Sequence, residues 1–100
     1  MGHVGVHLRD SLNDWESPSE VTIDANVASV LPALDDHRYP LLRLVDPYGD
    51  TIFSSHQMAG VLAELRALHR ASGEALLLDV IRLAERCRAT PHSWLVFVGD

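Results

Sequence analysis

Large apolar residues recur at helical spacing just past the middle of the chain, and they constrain the fold more than any other feature. They are Met58, Val61, Leu62, Leu65 and Leu68. Residues at this spacing form one stripe along an α-helix, and such a stripe must be buried against a second layer. Ser54 and Gln57 precede it with the spacing of a capping box, so the pattern predicts a helix over about residues 55–70.

A second helical pattern follows Ser72 and Gly73 and predicts a helix over about residues 74–89. Pro91 prevents the helix from continuing further. The residues expected to face inward are Leu77, Val80, Ile81, Ala84 and Cys87. The two helices therefore form a pair.

Apolar runs before and after this pair predict strands. Residues 3–8 alternate apolar and polar side chains, which is typical of a half-buried strand. Residues 21–23 read as a short strand or an extended lead-in. Residues 93–98 are so apolar that we expect them inside the sheet.

The middle of the chain predicts a β-hairpin. Leu41–Val45 is apolar except for Arg43, which indicates a central strand, and residues 51–54 form the returning strand. Between them, Asp46–Asp50 combines an aspartate, a proline and a glycine in the order that favours a turn.

Two further segments predict loops and short turns. Residues 10–20 are polar and indicate a loop in which Trp15 is the only large apolar residue. Asp24 or Asn26 is suited to cap one or two helical turns that extend toward Leu34.

The whole pattern predicts a single α+β domain over residues 1–100. This domain is a small two-layer fold with about four mostly antiparallel strands and the helical pair on one face.

The charge balance argues against a nucleic-acid partner. The 100 residues contain 14 acidic and 8 basic side chains, for a net charge of −6 with neutral histidines. Nucleic-acid binders usually cluster basic residues, whereas here they are scattered. All the basic residues are arginine, a bias that we attribute to a bacterial genome of high GC content.

Cysteine usage and hydropathy favour a cytoplasmic chain. Cys87 is the single cysteine, so no internal disulfide forms, and its position in the apolar helical stripe indicates a buried, inert thiol. No apolar run approaches the roughly 20 residues that span a bilayer, so we expect no membrane association.

Arg43 is one candidate binding residue. A guanidinium in an apolar strand needs a partner, because an unpaired buried charge is costly. The simpler interpretation is an ion pair with Glu64 or Asp79. The functional one is an anchor for an anion or a peptide carboxylate.

The turn over residues 46–50 supplies further candidates. Tyr48 and Asp50 at an exposed turn are suited to anchor a basic partner, since tyrosine and aspartate can dominate interface energies. A solvated turn with no partner is the simpler interpretation. Gln57, at the start of the following helix, lies close to this turn in sequence and is a further binding candidate.

Histidines are the candidates for acid–base chemistry. His56 at a helix start is the best candidate for a general base, with His7 as an alternative and Asp46 as a second acid. His3 and His7 are too far apart along a strand to share a metal. We expect no metal and no cofactor.

Three functional classes remain. The first is a small acidic interaction protein, such as an immunity or antitoxin-like inhibitor or an accessory subunit, that binds a basic protein or peptide. The alternative is a small cofactor-independent enzyme that modifies a peptide or metabolite in a homodimer cleft. It requires at least two of five residues to converge: His7, Arg43, Asp46, His56 and His92.

The third class is a sensor or scaffold dimer without a separate site. Small side chains at Ala59, Ala63 and Ala67 form a row on the first helix, which would permit close approach of a second copy. We therefore expect a homodimer.

Overall fold

Four antiparallel strands form one sheet. The computed structural model describes residues 3–9, 21–23 and 25–99. In chain order, the strands are β1 (Val4–Arg9), β2 (Val21–Ile23), β3 (Asp50–Ser54) and β4 (Trp94–Gly99). They lie in the order β2-β1-β4-β3, and every neighbouring pair is antiparallel. The long apolar strand β4 is central, as its composition predicts.

Two helices pack against one face of this sheet. They are α1 (Met58–Ser72) and α2 (Leu76–Ala89). The buried core joins their apolar stripes to alternate residues of the strands, among them Val6 and Phe97. The predicted α+β fold is therefore confirmed. No helix within the described ranges is long and apolar enough to cross a membrane.

Local sequence signals explain the helix boundaries. The capping box between Ser54 and Gln57 is present, and its first turn, Ser55–Gln57, is a 3-10 helix that leads into α1. Gly73 ends α1 with a φ of 70°, a conformation that glycine adopts without steric cost. Every residue predicted for the two apolar stripes is buried.

The predicted hairpin over residues 41–54 is wrong. Leu42–Leu44 is a 3-10 turn, and β3 pairs with β4 instead. The carboxylate of Glu64 on α1 provides the reason, because it accepts hydrogen bonds from the backbone N–H groups of Leu41 at 3.0 Å and Leu42 at 2.9 Å. These bonds hold the segment beside α1 and away from the sheet.

The turn predicted before β3 is nevertheless present. Gly49 N–H donates to the carbonyl of Asp46, and Tyr48 N–H donates to the Asp46 carboxylate at 2.8 Å. Asp46 N–H in turn donates to the Thr51 hydroxyl at 2.9 Å. This turn therefore connects a 3-10 segment to a strand.

The chain that follows β2 forms one short turn, as expected. Asn26 Oδ1 accepts from Val4 N–H at 2.9 Å and from Ala28 N–H at 3.0 Å, so it fastens the 3-10 turn Ala28–Val30 to the start of β1. The predicted loop over residues 10–20, with Trp15, and the alternative cap Asp24 lie outside the described residues.

Candidate functional site

An open apolar groove lies at the end of the sheet where β1 begins and β4 ends. Its volume is about 610 Å³. One wall is residues 31–34, the other is residues 44–48, and Val4 and Ala28 lie between them. We call this the apolar groove. Neither wall belongs to a strand or a long helix.

Large apolar side chains are exposed in this groove. Leu34 is 70% exposed, Leu44 50% and Tyr48 72%. In the part of the chain that the structure describes, only Ile52 and Leu78 are also large, apolar and exposed. Since clustered exposed apolar side chains often mark binding surfaces, the groove is the best candidate for a functional site.

Arg43 connects the two walls. Its Nη1 donates a hydrogen bond to the carbonyl of Leu34 at 3.1 Å. The predicted ion pair is wrong: Glu64 accepts from backbone amides, and Asp79 pairs with Arg82 at 3.1 Å. Arg43 Nε is buried and has no hydrogen-bond partner among the described residues. The Arg43 side chain therefore holds the wall that contains Leu34 beside the 3-10 turn in which Arg43 lies.

Gly99 lets the turn approach the end of β4. A Cβ atom at this position would overlap the Asp46 carbonyl oxygen and the backbone of Pro47 and Gly49. Only glycine permits this approach without a shift of the turn. The second wall of the groove thus depends on a residue distant in sequence.

The rim of the groove is acidic. Asp46 lines it, and Asp35 and Asp50 are exposed next to the walls in sequence. None of these three carboxylates takes part in an ion pair with a described residue. Asp36 does, at 2.9 Å from Arg38, whose guanidinium lowers the pKa of that carboxyl. The negative charge of the rim is thus available to a partner.

The predicted binding residues divide between this groove and other places. Tyr48 and Asp46 line the groove, and Asp50 begins β3. Gln57 Oε1 accepts from Ser54 N–H at 2.8 Å, as the capping box requires. Its amide is thus used for the start of the helix.

The predicted acid–base histidines lie elsewhere. His7 is on the sheet face opposite the helices, where its Nδ1 is 3.2 Å from the Thr22 hydroxyl. His56 is exposed in the 3-10 turn before α1. A hydrogen bond between Ser55 N–H and the carbonyl of Ser93 brings that turn next to the one that contains His92. The enzyme alternative requires at least two of its five residues to converge, and the apolar groove contains only Asp46 of the five.

Cys87 is buried, as its position in the stripe predicts. Burial raises the pKa of its thiol, and the sulfur lies 3.4 Å from the Ser93 hydroxyl. Within the described ranges, no group of three histidine, cysteine or acidic side chains is arranged to hold a metal ion.

Leu34 and Leu44 are groove residues that no sequence pattern marked as functional. An apolar side chain in a sequence indicates core, and nothing local distinguishes a leucine that will be exposed. The one available signal was Pro32, which interrupts the helical pattern before Leu34 and so argues against a buried helix there.

No family model matches the chain, and neither the curated proteins nor the solved structures yield a match. The groove is accordingly interpreted from its own residues.

Proposed function

We propose that this protein is a small acidic interaction protein that binds a basic protein or peptide through the apolar groove. An immunity or antitoxin-like inhibitor, or an accessory subunit, fits this description. The observation that supports it most is the cluster of exposed Leu34, Leu44 and Tyr48 beside Asp46, whose carboxylate is in no ion pair with a described residue.

The two kinds of groups have different roles. Burial of a leucine-sized side chain at an interface contributes about 1.5–3 kcal/mol, so the apolar walls supply affinity. Carboxylates at the rim attract a basic surface and raise the association rate, and they penalise acidic partners. A net charge of −6 extends this preference over the whole molecule.

The cellular setting is part of the proposal. The absence of lysine favours a bacterial source, and the single, buried cysteine favours the cytoplasm. Ala59 and Ala63 are exposed on α1 and neither lines the groove, so the predicted homodimer through this row uses different residues.

Acid–base catalysis has less support. His7 lies on the sheet face opposite the helices, and the turn of His56 lies beside that of His92, but none of these three histidines lines the apolar groove. We therefore favour binding over catalysis.

The test compares two matched variants. A double variant, Leu34→Ser with Leu44→Ser, makes both walls polar, whereas Leu78→Ser changes a leucine on α2 that is 40% exposed and does not line the groove. Each tagged protein is incubated with lysate of the source organism, and retained proteins and peptides are identified by mass spectrometry.

We expect the wild type and Leu78→Ser to retain the same basic protein in stoichiometric amount, and the double variant to lose it. Retention by the double variant would contradict the groove as the binding site. Failure of the wild type to retain any basic partner would contradict the proposed function itself.

A further inference from the structure

The outer edge of β3 is an exposed edge of the sheet. β3 is the last strand of the sheet, and it pairs only with β4 among the described strands. Gly99 N–H donates to the carbonyl of Gly49 at 2.8 Å, and Ser55 N–H donates to the carbonyl of Ser93 at 3.2 Å. These two bonds flank the strand and establish which residues exchange backbone hydrogen bonds with β4.

In an antiparallel pair, alternate residues direct their N–H and C=O groups toward the partner strand. Gly49 and Ser55 direct theirs toward β4, and the alternation therefore places the N–H and C=O groups of Thr51 and Phe53 toward β4 as well. Asp50, Ile52 and Ser54 must direct theirs outward. The hydrogen bond of the Ser54 amide is consistent with this alternation, since the amide donates to the Gln57 side chain and not to β4.

The outward groups of Ile52 have no hydrogen-bond partner among the described residues. The Ile52 side chain is also 42% exposed. Exposed edge strands invite pairing with another chain, and proteins usually protect them with lysine, proline or a bulge. β3 has neither proline nor lysine, and Asp50 is its only charge.

We propose that an extended, basic segment of the partner adds to β3 as a fifth strand of the sheet. The inference rests on the proposed function and specifies how the partner binds. Backbone hydrogen bonds to an edge strand supply affinity with little dependence on sequence, while neighbouring pockets select side chains.

A single turn connects the groove to the edge strand. The Asp46–Gly49 turn, which forms a wall of the groove, leads directly into β3. A segment paired along β3 would therefore reach Tyr48 at the Asp50 end. Five residues of strand extend about 17 Å, which is enough for several contacts before the groove.

Charge distinguishes the possible occupants. Asp46 and Asp50 lie at the groove end of β3, and neither is in an ion pair with a described residue. The two arginines nearest before them in sequence are engaged, because Arg38 pairs with Asp36 and Arg43 donates to the carbonyl of Leu34. A second copy of this chain brings its own net charge of −6 to this acidic edge, whereas a basic segment is attracted to it.

The test uses proline as a selective block. Because the Ile52 N–H points outward, Ile52→Pro removes that donor and leaves the hydrogen bonds between β3 and β4 in place. Ile52→Thr is the matched control, since it keeps the donor and a β-branched side chain. The probe is a fluorescent peptide of about eight residues that alternates arginine with valine, a pattern suited to an added strand. Binding is followed by fluorescence anisotropy.

We expect Ile52→Pro to weaken peptide binding about tenfold, and Ile52→Thr to bind within about twofold of the wild type. The same peptide with glutamate in place of arginine should bind at least about tenfold more weakly to the wild type. Equal binding by Ile52→Pro and wild type would overturn strand addition. So would failure of the wild type to bind the arginine peptide.

Hydrogen exchange provides a measurement that does not depend on folding of the proline variant. On addition of the arginine peptide to the wild type, the Ile52 amide should exchange more slowly. The Thr51 amide, which already bonds to β4, is the internal reference. An unchanged exchange rate at Ile52 would overturn the proposal.

Failure of this inference can be distinguished from failure of the proposed function. If Leu34→Ser with Leu44→Ser abolishes peptide binding while Ile52→Pro does not, the groove binds the partner without strand addition. If light scattering shows a wild-type dimer that Ile52→Pro converts to monomer, the edge binds a second copy, and a basic segment is the wrong occupant.

Discussion

The helical pair buries most of its leucines, whereas the segment of residues 25–49 buries Leu42 and exposes Leu34 and Leu44. In α1, Leu62, Leu65 and Leu68 are all buried against the sheet. In the preceding segment, which has only short 3-10 turns, Leu34 and Leu44 are exposed in the walls of the groove. The helices supply much of the core, whereas the second region contributes Val27, Tyr39 and Leu42 to it and also presents an apolar surface. Substitutions in the two regions should therefore separate stability from binding.

The largest expected effect is in the helical core. Leu65 is fully buried, so Leu65→Ala should lower the free energy of unfolding by about 2–5 kcal/mol through lost burial and the cavity left behind. Leu44→Ala is the matched substitution in the groove and should change it by less than about 0.5 kcal/mol. Urea denaturation measures both. Similar losses in the two variants would mean that the groove is part of the core.

A smaller loss is expected where the two regions meet. Glu64→Ala removes the acceptor for the amides of Leu41 and Leu42, and unpaired amides of this kind cost about 1–3 kcal/mol. Glu64→Gln keeps one acceptor oxygen and should cost less. Hydrogen exchange at those two amides should become faster in Glu64→Ala. Unchanged exchange there would show that something other than Glu64 holds the segment beside α1.

The contact between Glu64 and the amides of Leu41 and Leu42 also explains why the fold could be predicted only in part. The helices and β4 follow from local periodicity and capping, because such patterns need no information from distant residues. The run at residues 41–45 is apolar whether it forms a strand or a 3-10 turn, and Glu64, more than 20 residues away, decides between them. Arg43 was singled out correctly as a cation in need of a partner, but its partner is the carbonyl of Leu34.

The candidate site shows the same limit. Turn chemistry drew attention to Asp46 and Tyr48, which do line the groove. Leu34 and Leu44 could not be identified, since the exposure of an apolar side chain depends on what the rest of the chain packs against it. The approach of the turn to Gly99 likewise depends on residues about 50 positions apart, which no local pattern encodes.

The smallest expected effect is a pH dependence of stability that arises from the buried thiol of Cys87 in the helical core. Burial raises the pKa of the Cys87 thiol in the folded protein above its ordinary value of 9.0. The contribution of the protonated Cys87 thiol to stability is therefore complete below that pH. It is lost as the pH rises through the pKa of the folded state, because the unfolded thiol ionises at a lower pH than the folded one. The free energy of unfolding should decline above pH 9.0, and the decline should be smaller in Cys87→Ala. An identical decline in that variant would contradict the assignment.

The central claim is that the groove between Leu34 and Tyr48 binds a basic, partly apolar partner. The most direct measurement is a titration of isotope-labelled protein with the peptide that alternates arginine and valine, followed by amide chemical shifts in NMR. The account predicts that the largest changes fall in residues 31–34, residues 44–48 and β3, with α1 and α2 almost unaffected. Changes centred on the exposed faces of the helices, or none at all, would contradict it.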